Sequence, residues 1–242
     1  MRRFCGSMNY GEEPTVKTKK WLYYFLMLLP LAATLIALPL LPDRIPAHYG
    51  MDNQVDRWGS KYEALLVPAF TLLFGLIMLA AARCAARQEK KGNDSGQPSN
   101  TNNEKVTLIT GLCVLLLFNL MSFYFLYTDL HQVENLSELP IDIISLVFAC
   151  LGLLLIVCGN LMPKVKNNSI IGLRTKWSRK NEITWKKSQK FGGITFIISG
   201  ILILAVSLTS KAGTCLLWSM LILAADAAVS IWYSWLMAKK YG

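Results

Sequence analysis

Acidic residues are scarce in this chain. Fifteen Asp and Glu stand against 25 Lys and Arg, and there are only two histidines. His48 and His131 both lie near acids, but a zinc site needs three or four converging ligands, so no metal is expected. The sequence has no HExxH and no Gly-rich phosphate loop, and no apolar run carries a nucleophile paired with a base. No enzyme activity and no cofactor are therefore expected. The six cysteines, at 5, 84, 113, 150, 158 and 215, form no CxxC pair. Four fall inside apolar runs and none in a segment expected on the outer face, so they read as small packing residues.

Charge is also missing over long stretches. Six segments are apolar for about 19 residues or more: 21–41, 64–82, 106–127, 141–162, 191–208 and 214–237. A helix of about 20 residues crosses a hydrocarbon layer about 30 Å thick. Backbone groups in lipid must bond internally, and no run alternates as a barrel strand would, so these are read as helices. The first run is too long for a signal-peptide core and ends in no clear cleavage site, so it reads as a retained anchor. The expected class is all-α, a polytopic membrane protein with six transmembrane helices.

The cations give an orientation. Five lie in the N-terminal tail, five between the second and third runs, nine between the fourth and fifth, and two at the C-terminus. The other three connections hold three, none and one. This alternation puts both termini in the cytoplasm by the positive-inside rule. The net charge of +10 is then topology plus attraction to anionic lipid, and no direct nucleic-acid partner is expected.

The expected organisation is a cytoplasmic tail over 1–20, a two-span unit over 21–87 and a four-span unit over 106–242. Between the units, residues 88–105 read QEKKGNDSGQPSNTNNEK, a composition without a core and a predicted disordered linker. There is no convincing internal repeat, which argues against an inverted-repeat transporter. A small transporter or channel-like protein nevertheless remains the rival class.

Two connections hold the candidate site residues. The outer loop 42–63 begins with Pro42 and Pro46, which hold the chain extended, and Gly50 and Asn53 suit tight turns. His48 belongs to this loop. Asp56 and Lys61 are placed to bond within it, as is Arg57, and Trp58 suits the headgroup level. The loop is either a compact cap or a ligand-facing surface. The short connection 129–138 is expected on the same outer face.

The basic loop 163–190 carries nine cations, one acid (Glu182) and two tryptophans, Trp177 and Trp185. Asn160 is placed to cap the fourth helix and Pro163 to stop it. Gly172 gives a turn or close approach before Arg174. Ser178 is placed to cap a short helix running to about residue 190. At 100° per residue Trp177, Asn181, Thr184, Trp185 and Ser188 share one face and the lysines the other. The expectation is a basic amphipathic helix in the interface plane, serving either as a topological anchor or as a docking element, with an Arg174–Glu182 clamp. One charge, Asp226, lies deep in the sixth run, where a carboxylate costs about 2.5–3.5 kcal/mol on insertion scales. It is expected to be protonated or paired, with Asn119 at similar depth on the third span, for structural bonding or for handling protons or a ligand.

These residues resemble a known family. Asn160, Met162, Pro163, Lys164, Asn168, Gly172, Leu173, Arg174, Thr175, Trp177, Asn181, Glu182, Trp185, Gly192 and Gly193 look like the signature of the SdpI family. The LPDRIPAH and DRWGSK stretches resemble a short domain of unknown function at the front of many Gram-positive bacterial membrane proteins. Lys176 and Gln189 stand where proline and histidine are common in the family. The resemblance implies an immunity protein of the bacterial plasma membrane that protects against a secreted peptide toxin at the outer face. It also implies, for some members, signalling by holding a cytoplasmic transcriptional repressor at the lipid bilayer.

Overall fold

The computed structural model describes residues 14–50, 52–91 and 102–242. Most of the linker and the front of the tail lie outside the described residues. Six long helices carry the fold: α1 (Pro14–Ala37), α2 (Leu66–Lys91), α3 (Asn102–His131), α4 (Ile143–Leu161), α5 (Glu182–Thr209) and α6 (Ala212–Tyr241). All six are long and apolar enough to cross a membrane. Phe25, Leu73, Ile77, Ile201, Leu217 and Trp232 are each more than half exposed on their flanks. Apolar surface spread this widely is intolerable in water and ordinary against lipid.

The fold is mostly helical but not wholly so. Between α1 and α2 the chain forms an antiparallel hairpin, β1 (Arg44–Tyr49) and β2 (Val55–Ser60). Single 3-10 turns at Leu38–Leu40, Lys61–Leu65, Leu136–Glu138 and Met162–Lys164 trim the helix ends.

Packing divides three and three. Tyr23, Leu26 and Met27 of α1 bury with Leu79 and Ala82 of α2 and Leu108 and Leu115 of α3. The α3 helix, which the linker's position assigns to the second unit, thus shares its core with the first two spans. The Tyr23 hydroxyl donates to the Gly75 carbonyl at 3.1 Å. Asn119 Nδ2 donates to the carbonyls of Leu26 and Leu115 at 2.8 and 2.7 Å. A second core joins Phe148 and Leu155 of α4, Ile203 of α5 and Cys215 of α6.

The α4–α5 crossing depends on backbone contact. Gly152 faces Gly200, and Gly159 faces Gly193. A Cβ on any of the four would lie 2.5–2.7 Å from the opposing glycine's carbonyl oxygen. In lipid, where apolar burial does not drive association, such close approach supplies the dispersion contact that holds helices together. The Gly192-Gly193 pair of the signature is therefore explained in part by packing. Gly193→Val should separate the two helices and cost about 1–3 kcal/mol, seen as a lowered unfolding midpoint of the purified protein. An unchanged midpoint would show that the crossing tolerates a side chain.

Candidate functional site

The six helices leave irregular chain at two opposite ends. At one end lies the hairpin, at the other the basic connection between α4 and α5.

At the hairpin end, Leu41 is extended before Pro42, and Pro46 sits inside β1 opposite Trp58. The ladder is irregular on both sides of His48. Asn53 takes the left-handed turn conformation (φ 64°), whereas Gly50 needs no positive φ. Asp52 Oδ1 accepts from the Gln54 N–H. Two ion pairs and one hydrogen bond brace the loop: Arg57 with Glu63 at 2.8 Å, Lys61 with Asp43 at 2.9 Å, and His48 Nδ1 with Asp56 at 2.6 Å. The hydrogen bond from Lys61, and then its charge, hold the Asp43 carboxyl below the usual carboxylate range. Glu63 in the same way raises Arg57 further above its already high value. Exposed pairs of this kind add little stability singly, so their main effect is on loop geometry.

The hairpin does not stand alone. The connection after α3 lies along its turn. The Val55 N–H donates to the Glu134 carbonyl and the Leu136 N–H to that of Asn53, both at 3.0 Å. Tyr49 donates its hydroxyl proton to the Val133 carbonyl at 2.9 Å, Gln132 Nε2 to the Arg44 carbonyl at 3.2 Å and Asn53 Nδ2 to Ser137 Oγ at 3.2 Å. Leu41, Ile45 and Leu136 are buried beneath. The two connections at this end make one cap. Asp142 then caps α4 by accepting from the Ser145 N–H at 2.8 Å, a sequence signal the opening reading did not use.

The opposite end is equally built. Asn168 folds the loop: its Oδ1 accepts from Ile170 and Ile171 and its Nδ2 donates to the Lys166 carbonyl. Asn103, at the start of α3, accepts from the Lys166 N–H at 2.9 Å, and Gln88 of α2 accepts from the Ser169 N–H at 3.0 Å. Gly172 adopts φ +93°, where a Cβ would lie 2.6 Å from Gln189 Oε1. Only glycine holds that conformation at small cost. Gln189, fully buried on α5, accepts from the Leu173 N–H and donates to its carbonyl, both at 3.0 Å. The departure at Gln189 is thus a residue that satisfies both backbone groups of Leu173. Thr175 Oγ1 meets Ser234 Oγ of α6 at 2.8 Å, and Asn181 Nδ2 donates to the Tyr241 carbonyl at 2.7 Å.

Several expectations change here. The α5 helix begins at Glu182 and runs unbroken into the membrane-crossing stretch, so there is no separate helix in the interface plane. Its N-cap is Asn181, which accepts from the Thr184 N–H at 2.9 Å. Ser178 instead accepts from the Thr175 N–H and donates to the Leu173 carbonyl. The aromatic face of the helical wheel points into protein rather than lipid. Trp185 is wholly buried with Val106 and Val165, and its Nε1 donates to the Val165 carbonyl at 2.8 Å. Arg174 does not clamp Glu182; it bonds the Ser169 carbonyl. Asn160 bonds back to the Ile156 carbonyl within α4; Met162–Pro163–Lys164 form the closing turn. The exposed side keeps Arg174, Lys176, Arg179, Lys180, Lys186, Lys187 and Lys190, with Lys176 stacked 5.0 Å over Trp177.

Asp226 is buried and bonded, but not to Asn119. It accepts from Ser199 of α5 at 3.1 Å. Thr195 and Ser230 meet at 3.1 Å on the same α5–α6 contact. This hydroxyl seam went unread in the sequence; Ser219, Asp226, Ser230 and Ser234, all buried on α6, mark it by their helical spacing. Asp226→Asn keeps a bonding group and should leave the unfolding midpoint near wild type. Asp226→Leu should lose about 1 kcal/mol, the range of interhelical hydrogen bonds in lipid. Equal midpoints for both would show that the Ser199 bond contributes nothing.

These features define a multi-pass membrane protein with a folded cap at one end and a folded basic loop at the other. Residues 164–234 match the SdpI/YfhL protein family, and residues 25–72 match a domain of unknown function, DUF1648. The chain thus carries an SdpI-family segment behind a DUF1648 segment, and the two matches enclose the basic loop and the hairpin. Immunity protein SdpI of Bacillus subtilis (strain 168) is 36% identical over 70 residues, which cover 29% of this chain and 33% of that protein. No solved structure matches significantly.

Proposed function

We propose that this chain is an immunity protein of the bacterial plasma membrane, protecting its cell against a secreted, membrane-active peptide toxin. The observation that carries the proposal is the 36% identity to a protein named for immunity, beside a family match over 164–234 that takes in nearly all of the basic loop. In this reading both termini are cytoplasmic, which the cation division supports. The hairpin and the 129–138 connection then form one outward cap, the part of the molecule that a toxin outside the cell meets first. The basic loop is the cytoplasmic element, and its exposed cations beside Trp177 form the face on which a soluble repressor docks. A transporter reading has less support. Asp226, the charge nearest mid-membrane, is engaged by Ser199 within a helix–helix contact.

The test is survival of a toxin-sensitive strain expressing the chain, measured together with its abundance in the membrane. Wild type should protect. Trp177→Ala and Glu182→Ala, which alter side chains outside the buried core, should accumulate normally and lose protection or repressor retention. Full protection and retention by both would reduce the loop to an anchor. Orientation is checked by labelling single cysteines at Asp52, Glu138 and Lys186 in a cysteine-free background. Labelling of Lys186→Cys from outside would refute the topology.

A further inference from the structure

The last two turns of α3 hold a carboxylate without a counter-ion. Asp129 is 4% exposed, and no ion pair among the described residues includes it. The hairpin's own acids are all engaged: Asp43 with Lys61, Asp56 with His48, Glu63 with Arg57, and Asp52 with the Gln54 N–H. Arg57 cannot serve Asp129, because its guanidinium is held between Glu63 and the Ala47 carbonyl. His131 is turned away, bonded to the Tyr127 carbonyl and stacked on that ring at 4.2 Å. A carboxylate taken out of water costs several kcal/mol unless a cation meets it or a proton neutralises it.

A cavity adjoins it. Asp129 and Ser122, seven residues apart and so on one face of α3, line a space of about 160 Å³ with Ile45, Val67, Phe125 and Leu126. Ser122 is 5% exposed, and its hydroxyl has no hydrogen-bond partner among the described residues. Leu66 and Glu63 also line the space, and Leu66 is 64% exposed, so the cavity reaches the surface. Its volume is below the roughly 300–1,000 Å³ of pockets for whole small molecules. At about 30 Å³ per water, it has room for a few non-hydrogen atoms. A metal ion is a poor fit, since calcium takes six to eight oxygens and most of this wall is apolar. An ammonium on an alkyl stem fits each feature. The charge meets Asp129, and the stem lies against Phe125, Leu126 and Val67, leading toward Ser122 about two turns away.

We propose that this cavity is a receptor for one alkylammonium group, a lysine side chain or the N-terminal amine of a peptide. That the group arrives on a peptide rests on the immunity reading; that the cavity takes an alkylammonium does not. The test uses the full chain in phosphatidylglycerol nanodiscs, free of amine lipid, in phosphate buffer. The probes are n-butylammonium and its neutral counterpart 1-butanol, and the readout is the unfolding midpoint. Butylammonium should raise the wild-type midpoint saturably and butanol should not. Asp129→Asn should weaken the apparent affinity at least about ten-fold, as expected for loss of a charge-assisted bond. Ser122→Ala, which removes an unbonded hydroxyl two turns from the charge and so should fold normally, should leave the affinity near wild type. Equal effects of amine and alcohol, or undiminished binding by Asp129→Asn, would overturn the proposal. The survival assay separates the two readings. Selective amine binding without protection by wild type would leave the receptor standing and refute immunity. Protection without selective amine binding would do the reverse.

Discussion

A bilayer offers no water to an exposed peptide group, and each such group left unbonded in hydrocarbon costs several kcal/mol. Six helices satisfy this constraint internally. What remains is the chain that must turn between them, and in this protein that chain is folded at both ends rather than left to solvent. At the α4–α5 connection the work falls to side-chain amides. Asn168, Asn103 and Gln189 each bond two or more backbone groups of the loop. At the hairpin end two backbone bonds, Val55 to Glu134 and Leu136 to Asn53, join side-chain bonds from Tyr49, Gln132 and Asn53. Both ends are held by partners far apart in sequence.

Helix association in lipid depends on dispersion and on polar contacts, since lipid tails are as apolar as leucine. The two halves of this molecule use these terms differently. The α1–α3 half buries aromatic and aliphatic side chains around Tyr23 and Leu115. The α4–α5 crossing brings glycine backbones together, and α5–α6 adds the seam of Ser199–Asp226 and Thr195–Ser230. Glycine contact and hydroxyl pairing both fix register along the helix axis, because each works only when the two groups stand level.

This division explains what the sequence made legible. Helix number follows from apolar length alone, and the six spans are found where hydropathy put them. Trp185 was misplaced because a helical wheel separates apolar from polar but not lipid from protein. Its neighbours Thr184 and Gln189, both buried and bonded, were the signal that this face meets protein, since lipid would leave their polar atoms unbonded. The hairpin's internal charge pairs were legible, being short-range. Its union with residues 132–137 was not, because pairing between Gln54 and Asn135 depends on how α2 and α3 bring the two connections together.

The α3 helix touches both folded ends of the molecule. It runs 30 residues, roughly 45 Å at 1.5 Å per residue. Its first turn holds the basic loop through Asn103, its middle is bonded to α1 through Asn119, and its last turns carry Ser122 and Asp129 beneath the cap. Coupling between ends needs two arrangements whose balance a ligand shifts, not merely a rigid rod between them. Three buried side-chain atoms among the described residues lack hydrogen-bond partners, and two of them, Asn119 Oδ1 and Ser122 Oγ, lie within one turn of each other on α3. A helix half-satisfied at this point gives up little when it shifts and gains bonds if the shift supplies partners. An ammonium seated at Asp129 would neutralise the charge two turns beyond Ser122. That differential interaction is the quantity a two-state mechanism requires, and it acts on the helix that also holds the loop at the other end.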